Sequence, residues 1–415
     1  MTQISEICRS AKEASYRLAV LKREQKDKAL LAVADALLEE ETSILAANAK
    51  DLAAAEQAGM SQGLVDRLRL TAARLKDMAE GIRSVASLPD PVGRVLSSRV
   101  LENGLKLTKR AVPIGVCGII YEARPNVTSD AFALCLKSGN ACVLKGGSAA
   151  LSSNESIVKA LWKGLEQAGL PREILGFIDE AGHEGTAELL RMHDTVDVLI
   201  PRGGSGLIRY CVENATIPVL ETGTGNCHIF VDESADLEEA VRIILNAKTQ
   251  RVGVCNACES LLIHKNCLNQ AVPLIGKALT EKGVTIYGDA DCRALYKPME
   301  IATEEDWGRE YLDYKISMKA VADVGEAIRH INHYGTRHSE SILTKNEANA
   351  ARFLREVDAA CVYVNASTRF TDGGQFGFGC EIGISTGRLH ARGPMGLEEL
   401  TTYKYEIVGN GQIRP

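Results

Sequence analysis

No stretch of this chain approaches the roughly 20 consecutive apolar residues that a membrane-spanning helix needs, so no transmembrane segment is expected. A basic surplus is missing too: 48 Lys and Arg against 54 Asp and Glu leave a net charge of −6, and no Lys/Arg run stands out. That balance argues against a nucleic-acid partner, which needs cations to neutralise phosphates. Twelve cysteines and eight histidines are present, yet no spacing among them resembles a zinc ribbon or finger, and no structural metal is expected. Neither a GxGxxG fingerprint nor a P-loop occurs. Internal repeats and low-complexity segments are absent as well.

What remains is the composition of a soluble globular protein, 45% hydrophobic and 25% charged. A chain of 415 residues is too long for one ordinary core, so two domains are expected. The N-terminus, with Glu6, Lys12 and Glu13 among apolar residues, reads as an amphipathic helix rather than a signal peptide. Cysteines sit singly in apolar segments, as at Cys117, Cys135, Cys142, Cys211 and Cys361. That is the pattern of buried, reduced thiols in a cytoplasmic protein.

Residues 1–90 read as helical throughout, with apolar residues at helical spacing around 29–38 and proline at 89 and 91 as a stop. Partial alternation around Asn103-Gly104 signals a hairpin over 95–110. A strand–helix rhythm follows, with strands expected at 114–121, 141–144, 174–177, 196–200 and 219–220. Helices at 129–138, 153–167, 184–192 and 207–212 separate them. Short apolar strands alternating with helices indicate a parallel sheet covered on both faces. A second α/β block runs from 237 to about 365, glycines crowd 373–396, and 403–408 reads as a terminal strand.

Chemistry concentrates at strand ends, where open parallel sheets bind cofactors. Lys145-Gly146-Gly147-Ser148, Pro201-Arg202-Gly203-Gly204-Ser205-Gly206 and Glu221-Thr222-Gly223-Thr224-Gly225-Asn226 are turns of that kind. The second opens a helix, so its N–H groups are placed for a pyrophosphate, although Gly-rich turns also end strands for steric reasons alone. Near the middle, Val252-Gly253-Val254 delivers the chain to Cys255, and an apolar stretch resumes at Leu261. A thiolate at such a junction is open to stabilisation by backbone N–H groups and by Lys248 or Arg251.

Six segments in order carry a resemblance. They are Tyr121-Glu122-Ala123-Arg124-Pro125-Asn126-Val127-Thr128, the Lys145 turn, Glu221 to His228, and Val254-Cys255-Asn256-Ala257-Cys258-Glu259. Asn365-Ala366-Ser367-Thr368-Arg369-Phe370-Thr371-Asp372-Gly373-Gly374 and Leu389 to Leu397 complete the set. Over essentially its whole length the chain resembles the aldehyde dehydrogenase superfamily and, within it, the branch that reduces L-glutamyl 5-phosphate in proline biosynthesis. The resemblance implies an α/β, aldehyde dehydrogenase-like fold of two Rossmann-type parallel-sheet domains plus a β-hairpin oligomerisation arm. The expected NADPH-binding domain is 1–94 and 111–227, and the catalytic domain is 228–385. The arm and C-terminal strand are 95–110 and 386–415.

By the same resemblance Cys255 is the nucleophile, against the alternative of one more buried structural cysteine. Asn126 matches the oxyanion-hole asparagine, although a helix N-cap is an equally natural use of that residue. Glu221 sits where oxidising members keep a water-activating base. Here hydride should resolve the thioester, so a proton-shuttle role is the reading. Glu310 resembles the glutamate that grips the nicotinamide ribose, the alternative being a solvated acid beside Glu304, Glu305 and Asp306. Lys145 matches the lysine on the adenosine ribose. With Ser148 where an acid often stands, NADPH is favoured over NADH. Gly146, Arg202, Gly203, Gly204 and Ser205 complete the expected cofactor contacts. Arg124, Arg251 and Arg369 are candidates for substrate anions, with Lys248 and Arg392 behind them, each equally readable as a surface charge. Cys258 imitates a C-x-x-C partner, but packing is the expected role.

The implied reaction is NADPH-dependent reduction of L-glutamyl 5-phosphate to the semialdehyde and phosphate through a Cys255 thioester. A hydrolytic dehydrogenase of the same fold and an inactive nucleotide-binding scaffold are the alternatives. A homo-oligomer is expected, as is a separate glutamate 5-kinase with which the chain transiently associates.

Overall fold

The computed structural model describes residues 2–60, 62–180 and 182–414. The chain divides into two compact units, one of Met1–Glu221, Gly377–Gly383 and Met395–Pro415, the other of Thr222–Phe376 and Ile384–Pro394.

The first unit begins with five helices, Gln3–Leu18, Arg23–Glu39, Glu41–Gln57, Gln62–Leu68 and Ala72–Ser87. Threonines cap the first and last of these, Thr2 accepting from Ser5 N–H and Thr71 from Arg74 N–H. The expected hairpin is present as β1 (Val95–Val100) and β2 (Lys106–Pro113). Its turn needs the left-handed conformation of Gly104, φ +84°. Strand Thr401–Val408 adds to the free side of β2, antiparallel, with Tyr405 opposite Lys109. Four parallel strands follow, β3 (Val116–Tyr121), β4 (Ala141–Gly146), β5 (Leu175–Phe177) and β6 (Val198–Arg202), in spatial order β5-β4-β3-β6. Val116, Ile120, Val143 and Leu199 pack on Ile4, Cys8 and Ala11 of the first helix and on Leu189 and Cys211. The strand expected at 219–220 is reduced to one bridge, Val219 to Leu199, because Glu221 and Thr222 already leave the sheet.

The second unit holds a seven-stranded parallel sheet. Its strands are β7 (Cys227–Val231), β8 (Cys258–His264), β9 (Thr285–Gly288), β10 (Glu300–Ile301), β11 (Lys315–Val321), β12 (Ser339–Leu343) and β13 (Cys361–Val364). The spatial order is β10-β9-β11-β8-β7-β12-β13. Period-two alternation builds two cores from one sheet. Ile229, Val231, Leu261, Ile263, Ile316 and Met318 face helices Leu237–Thr249 and Leu268–Glu281. Phe230, Leu262, Val321 and Ile342 turn the other way, onto Ile328, Ile331 and Phe353. At roughly 25 cal/mol per Å² of apolar surface, burial on both faces is the main force holding the sheet.

The division differs from the boundaries expected at 227 and 385. Thr222 bridges to Ser385, and Gly223 N–H donates to Ile384 O at 3.0 Å, so 222–226 belong with the second sheet. Residues 395–415 return to the first unit, where Leu400 O accepts from the buried Asn140 amide at 2.7 Å. No helix among the described residues is long and apolar enough to cross a membrane.

Candidate active site

Helix Leu237–Thr249, capped by Asp236 accepting from Glu239 N–H, aims its last turn at the loop that carries Cys255. The loop closes as a β-turn, Ala257 N–H donating to Val254 O at 3.1 Å, with Cys255 and Asn256 at its corners. None of the twelve cysteines forms a disulfide and nine are buried; Cys255 is half-buried. Cys258, three residues on, is buried in β8, its thiol donates to Ser260 O at 3.4 Å, and burial pushes its pKa up. It is a packing residue, as expected.

Three neighbours pin the turn. Asn256 is buried, donates its amide to Thr371 O at 2.9 Å, and accepts from the Arg369 guanidinium. Thr368 Oγ donates to Asn256 O at 2.8 Å. Arg369 Nε also reaches Gln250 Oε1 at 2.9 Å, so one guanidinium holds the loop at both ends. On the other side Gly225 lies directly against Cys255: a Cβ there would stand 1.5 Å from Cys255 O. Only glycine fits.

Electrostatically, burial lowers the pKa of Arg369 against the pull of Asp372, and Arg251 and Cys255 act on it more weakly, in opposite directions. Of the three arginines proposed from sequence, Arg369 is held against the Cys255 turn through Asn256. Arg124, on the other unit, lies in the turn before helix Asn126–Lys137, its N–H donating to Glu122 O at 2.6 Å. Lys248 does not serve the thiol. It is fully buried and paired with the equally buried Glu259, Nζ to Oε2 2.5 Å, because an ammonium at that depth needs a carboxylate. Arg392 likewise pairs with Asp358 at 2.7 Å, in a cluster with Arg388 and Arg337.

Glu310 is not a solvated acid. Its carboxylate accepts from Gly225 N–H at 2.7 Å. Behind the turn, Cys227 Sγ donates to Cys255 O at 3.1 Å, and Glu340 Oε2 accepts from His228 N–H at 2.6 Å. Sequence reading missed Glu340 and His228. Both are fully buried; burial holds Glu340 protonated well above the carboxylate range and His228 neutral, with a pKa of about 3.

On the first unit, Asn126 opens helix Asn126–Lys137 as its first residue, while Pro125 takes the cap position. The asparagine is exposed, with its amide donating to Asp130 at 3.0 Å, so it is not the N-cap. Glu221 is exposed at the end of that unit. Lys145 and Gly146 end β4. Lys145 is buried rather than superficial, and its ammonium donates to Glu180 O at 2.7 Å. Glu180 also supplies an acid that the sequence around Ser148 did not suggest; its field partly offsets the drop that burial causes in the Lys145 pKa. Ser148 is exposed and starts the short 3-10 turn into helix Leu151–Gln167.

Arg202 ends β6, and Gly203-Gly204 lead into helix Ser205–Asn214. Gly204 N–H donates to the Glu122 carboxylate at 3.1 Å. The chain's own Glu122 carboxylate thus occupies this helix N-terminus, a position that takes anions.

Residues 1–292 match the model of the aldehyde dehydrogenase family. The gamma-glutamyl phosphate reductase of Lachnospira eligens is 55% identical over 414 residues, covering all of both chains. That of Clostridium beijerinckii is 54% identical over 405 residues, covering 98% of each. The crystal structure of the gamma-glutamyl phosphate reductase from Thermotoga maritima superposes with a TM-score of 0.97 at 49% identity, covering both chains completely.

Proposed function

Because the chain belongs to the aldehyde dehydrogenase family, and within it to the gamma-glutamyl phosphate reductases, we propose that its chemistry runs through a thioester on Cys255. The enzyme reduces L-glutamyl 5-phosphate to L-glutamate 5-semialdehyde and phosphate, the second step of proline biosynthesis from glutamate, with a nicotinamide cofactor. The Cys255 thiolate attacks the acyl carbon. A C–S bond forms, the bond between the acyl carbon and the bridging oxygen breaks, and phosphate departs with that oxygen and the bonding pair. Cysteine serves both as strong nucleophile and as good leaving group, which divides the reaction into two lower barriers.

Arg369, in the field of the thiol, and Arg251, four residues before it in the chain, are assigned as the cations for the leaving phosphate. Asn126 and the Cys255 N–H are assigned to the oxyanion, where one donor lowers the barrier by roughly 3–4 kcal/mol. Glu221 moves a proton rather than activating water. A bound nicotinamide supplies the hydride that reduces the thioester. Glu310 is assigned to its ribose, the Arg202–Ser205 turn to its phosphates, and Lys145, Gly146 and Ser148 to its adenosine end. We assign NADPH as the reductant, on the Lys145 cation and on Ser148 three residues later, with Glu180 as the acid that opposes this choice.

The observation that carries this reading is a half-buried thiol on a turn pinned by Arg369, Thr368 and Thr371. Mass spectrometry of enzyme given acyl phosphate without reductant should show a glutamyl adduct on Cys255. Label on another residue, or full turnover by Cys255→Ala, refutes it. Reverse turnover of the semialdehyde should require phosphate; acid formation without it would mean that water resolves the thioester.

The acyl phosphate is labile in water and the chain has no P-loop, so a separate glutamate 5-kinase supplies it. Transient association with that kinase is tested by gel filtration of both proteins with ATP and glutamate, and failure to co-migrate counts against it. The three-stranded arm exposes Val100 on β1 and Tyr405, Ile407 and Val408 on strand Thr401–Val408, apolar residues on its two edge strands that suit a second copy of this chain. Light scattering should report a homo-oligomer. The free, mostly buried cysteines suit the reducing cytoplasm.

A further inference from the structure

Glu259 is a buried carboxylate that the mechanism above does not use. It follows Cys258 at the start of β8, with no exposed surface. One oxygen takes the Lys248 ammonium at 2.5 Å. The other accepts the N–H of Leu312 at 3.2 Å. Burial raises its pKa to about 7 against the pull of Lys248, and Glu310 adds to the rise. A group held at that cost in a site already well packed has a use beyond filling space.

Its partners frame two loops at once. Lys248 stands at the end of the helix before the nucleophile loop, and Glu259 at the start of the strand after it. Leu312 lies two residues beyond Glu310 and adopts φ +53°, a left-handed conformation that a leucine enters only under constraint. Glu310 in turn accepts from Gly225 N–H, and Gly225 touches the backbone of Cys255. A continuous path therefore runs Lys248, Glu259, Leu312, Glu310, Gly225, Cys255.

We propose that Glu259 is a positioning residue for the cofactor: by holding the Leu312 N–H it sets the Glu310 loop, and so the ribose-binding carboxylate, in register with the nucleophile. The inference rests on the assignment of Glu310 to the nicotinamide ribose. Removing Glu259 alone would strand Lys248 and endanger the fold, so the test compares two double variants that both lack the ion pair. K248M/E259Q keeps an amide oxygen for Leu312 N–H; K248M/E259L does not.

NADPH affinity is read by its fluorescence change on binding, and Cys255 reactivity by its alkylation rate with iodoacetamide. K248M/E259L should bind NADPH about ten-fold more weakly than K248M/E259Q, the value of one oriented hydrogen bond. Alkylation should stay within about two-fold between the two, since the turn around Cys255 is held by Arg369 and Thr368. Equal NADPH affinities overturn the proposal. So does a parallel loss of alkylation, which would mean that Glu259 supports the nucleophile loop as a whole. Glu310→Gln separates the two levels: weaker NADPH binding there with equal double variants sinks only the role of Glu259, while unchanged binding in Glu310→Gln sinks the ribose assignment as well.

Discussion

Replacing Gly225 with alanine places a methyl group 1.5 Å from the carbonyl oxygen of Cys255, 2.2 Å from its carbonyl carbon and 2.5 Å from its Cα. Real Cβ atoms essentially never come within 3.0 Å of such neighbours, so the two backbones must part by about 1.5 Å. The obstacle is main chain on both sides, and no rotamer relieves it. Overpacking of this kind costs roughly 1–3 kcal/mol of stability, which a large unit survives. Catalysis is less tolerant. A displacement of about 1 Å at a reacting group costs on the order of 100-fold in rate, so kcat should fall by at least about 100-fold. Oxidation of the semialdehyde, supplied as pyrroline-5-carboxylate, with NADP and phosphate gives the rate from absorbance of the reduced nicotinamide. Gly63→Ala is the control: it makes the same chemical change where nothing lies within 4 Å of the added carbon. If Gly225→Ala keeps kcat within about three-fold of the parent, Gly225 does not set the position of the nucleophile.

Lys248→Met leaves Glu259 buried without its cation and should destabilise the second unit by about 3–5 kcal/mol, whereas K248M/E259L should recover most of that; urea midpoints of the three proteins decide it. Glu340 keeps its proton in the folded state at pH values where the unfolded chain has lost it. Its contribution to stability is therefore full below the ordinary glutamate value of 4.5 and is lost as pH rises toward its elevated folded pKa. Glu340→Gln removes that slope, so the stability of the variant relative to the parent should increase between pH 5 and pH 8, and a flat difference in denaturant unfolding would contradict a protonated Glu340. Lys145→Ala should raise the KM for NADPH by about ten-fold and that for NADH much less, since only the former has a 2′-phosphate for the ammonium to meet; equal rises would remove Lys145 from the choice between them.

How far the sequence can be read depends on whether the forces on a residue are local. The first parallel sheet was legible because β3 and the body of β4 are short apolar runs between helical periods, and the hairpin because Asn103-Gly104 admits few structures other than a tight turn. Cys255 was singled out by its motif, and the structure puts it on a tight turn. What holds it was not legible, because its supports come from far along the chain: Arg369 is 113 residues from Asn256, and Glu310 is 85 from Gly225. Asn126 was readable as a cap until Pro125 took that place and Asp130 took its amide. Lys248 shows the deeper limit. A lysine at a helix end is ordinarily solvated, and only burial turned it from a candidate partner of the thiol into the counter-ion of Glu259. Yet one signal was present. Glu259 stands between Cys258 and Ser260-Leu261-Leu262 in a parallel strand buried at every position. An acid in such a strand cannot meet water, so it must meet a cation or keep its proton. The lysine that ends the preceding helix, 11 residues earlier, was the nearest cation on an element bound to pack beside that strand. Asking where each charge inside a buried strand finds its partner would have paired the two from sequence, and would have taken Lys248 off the list of phosphate ligands.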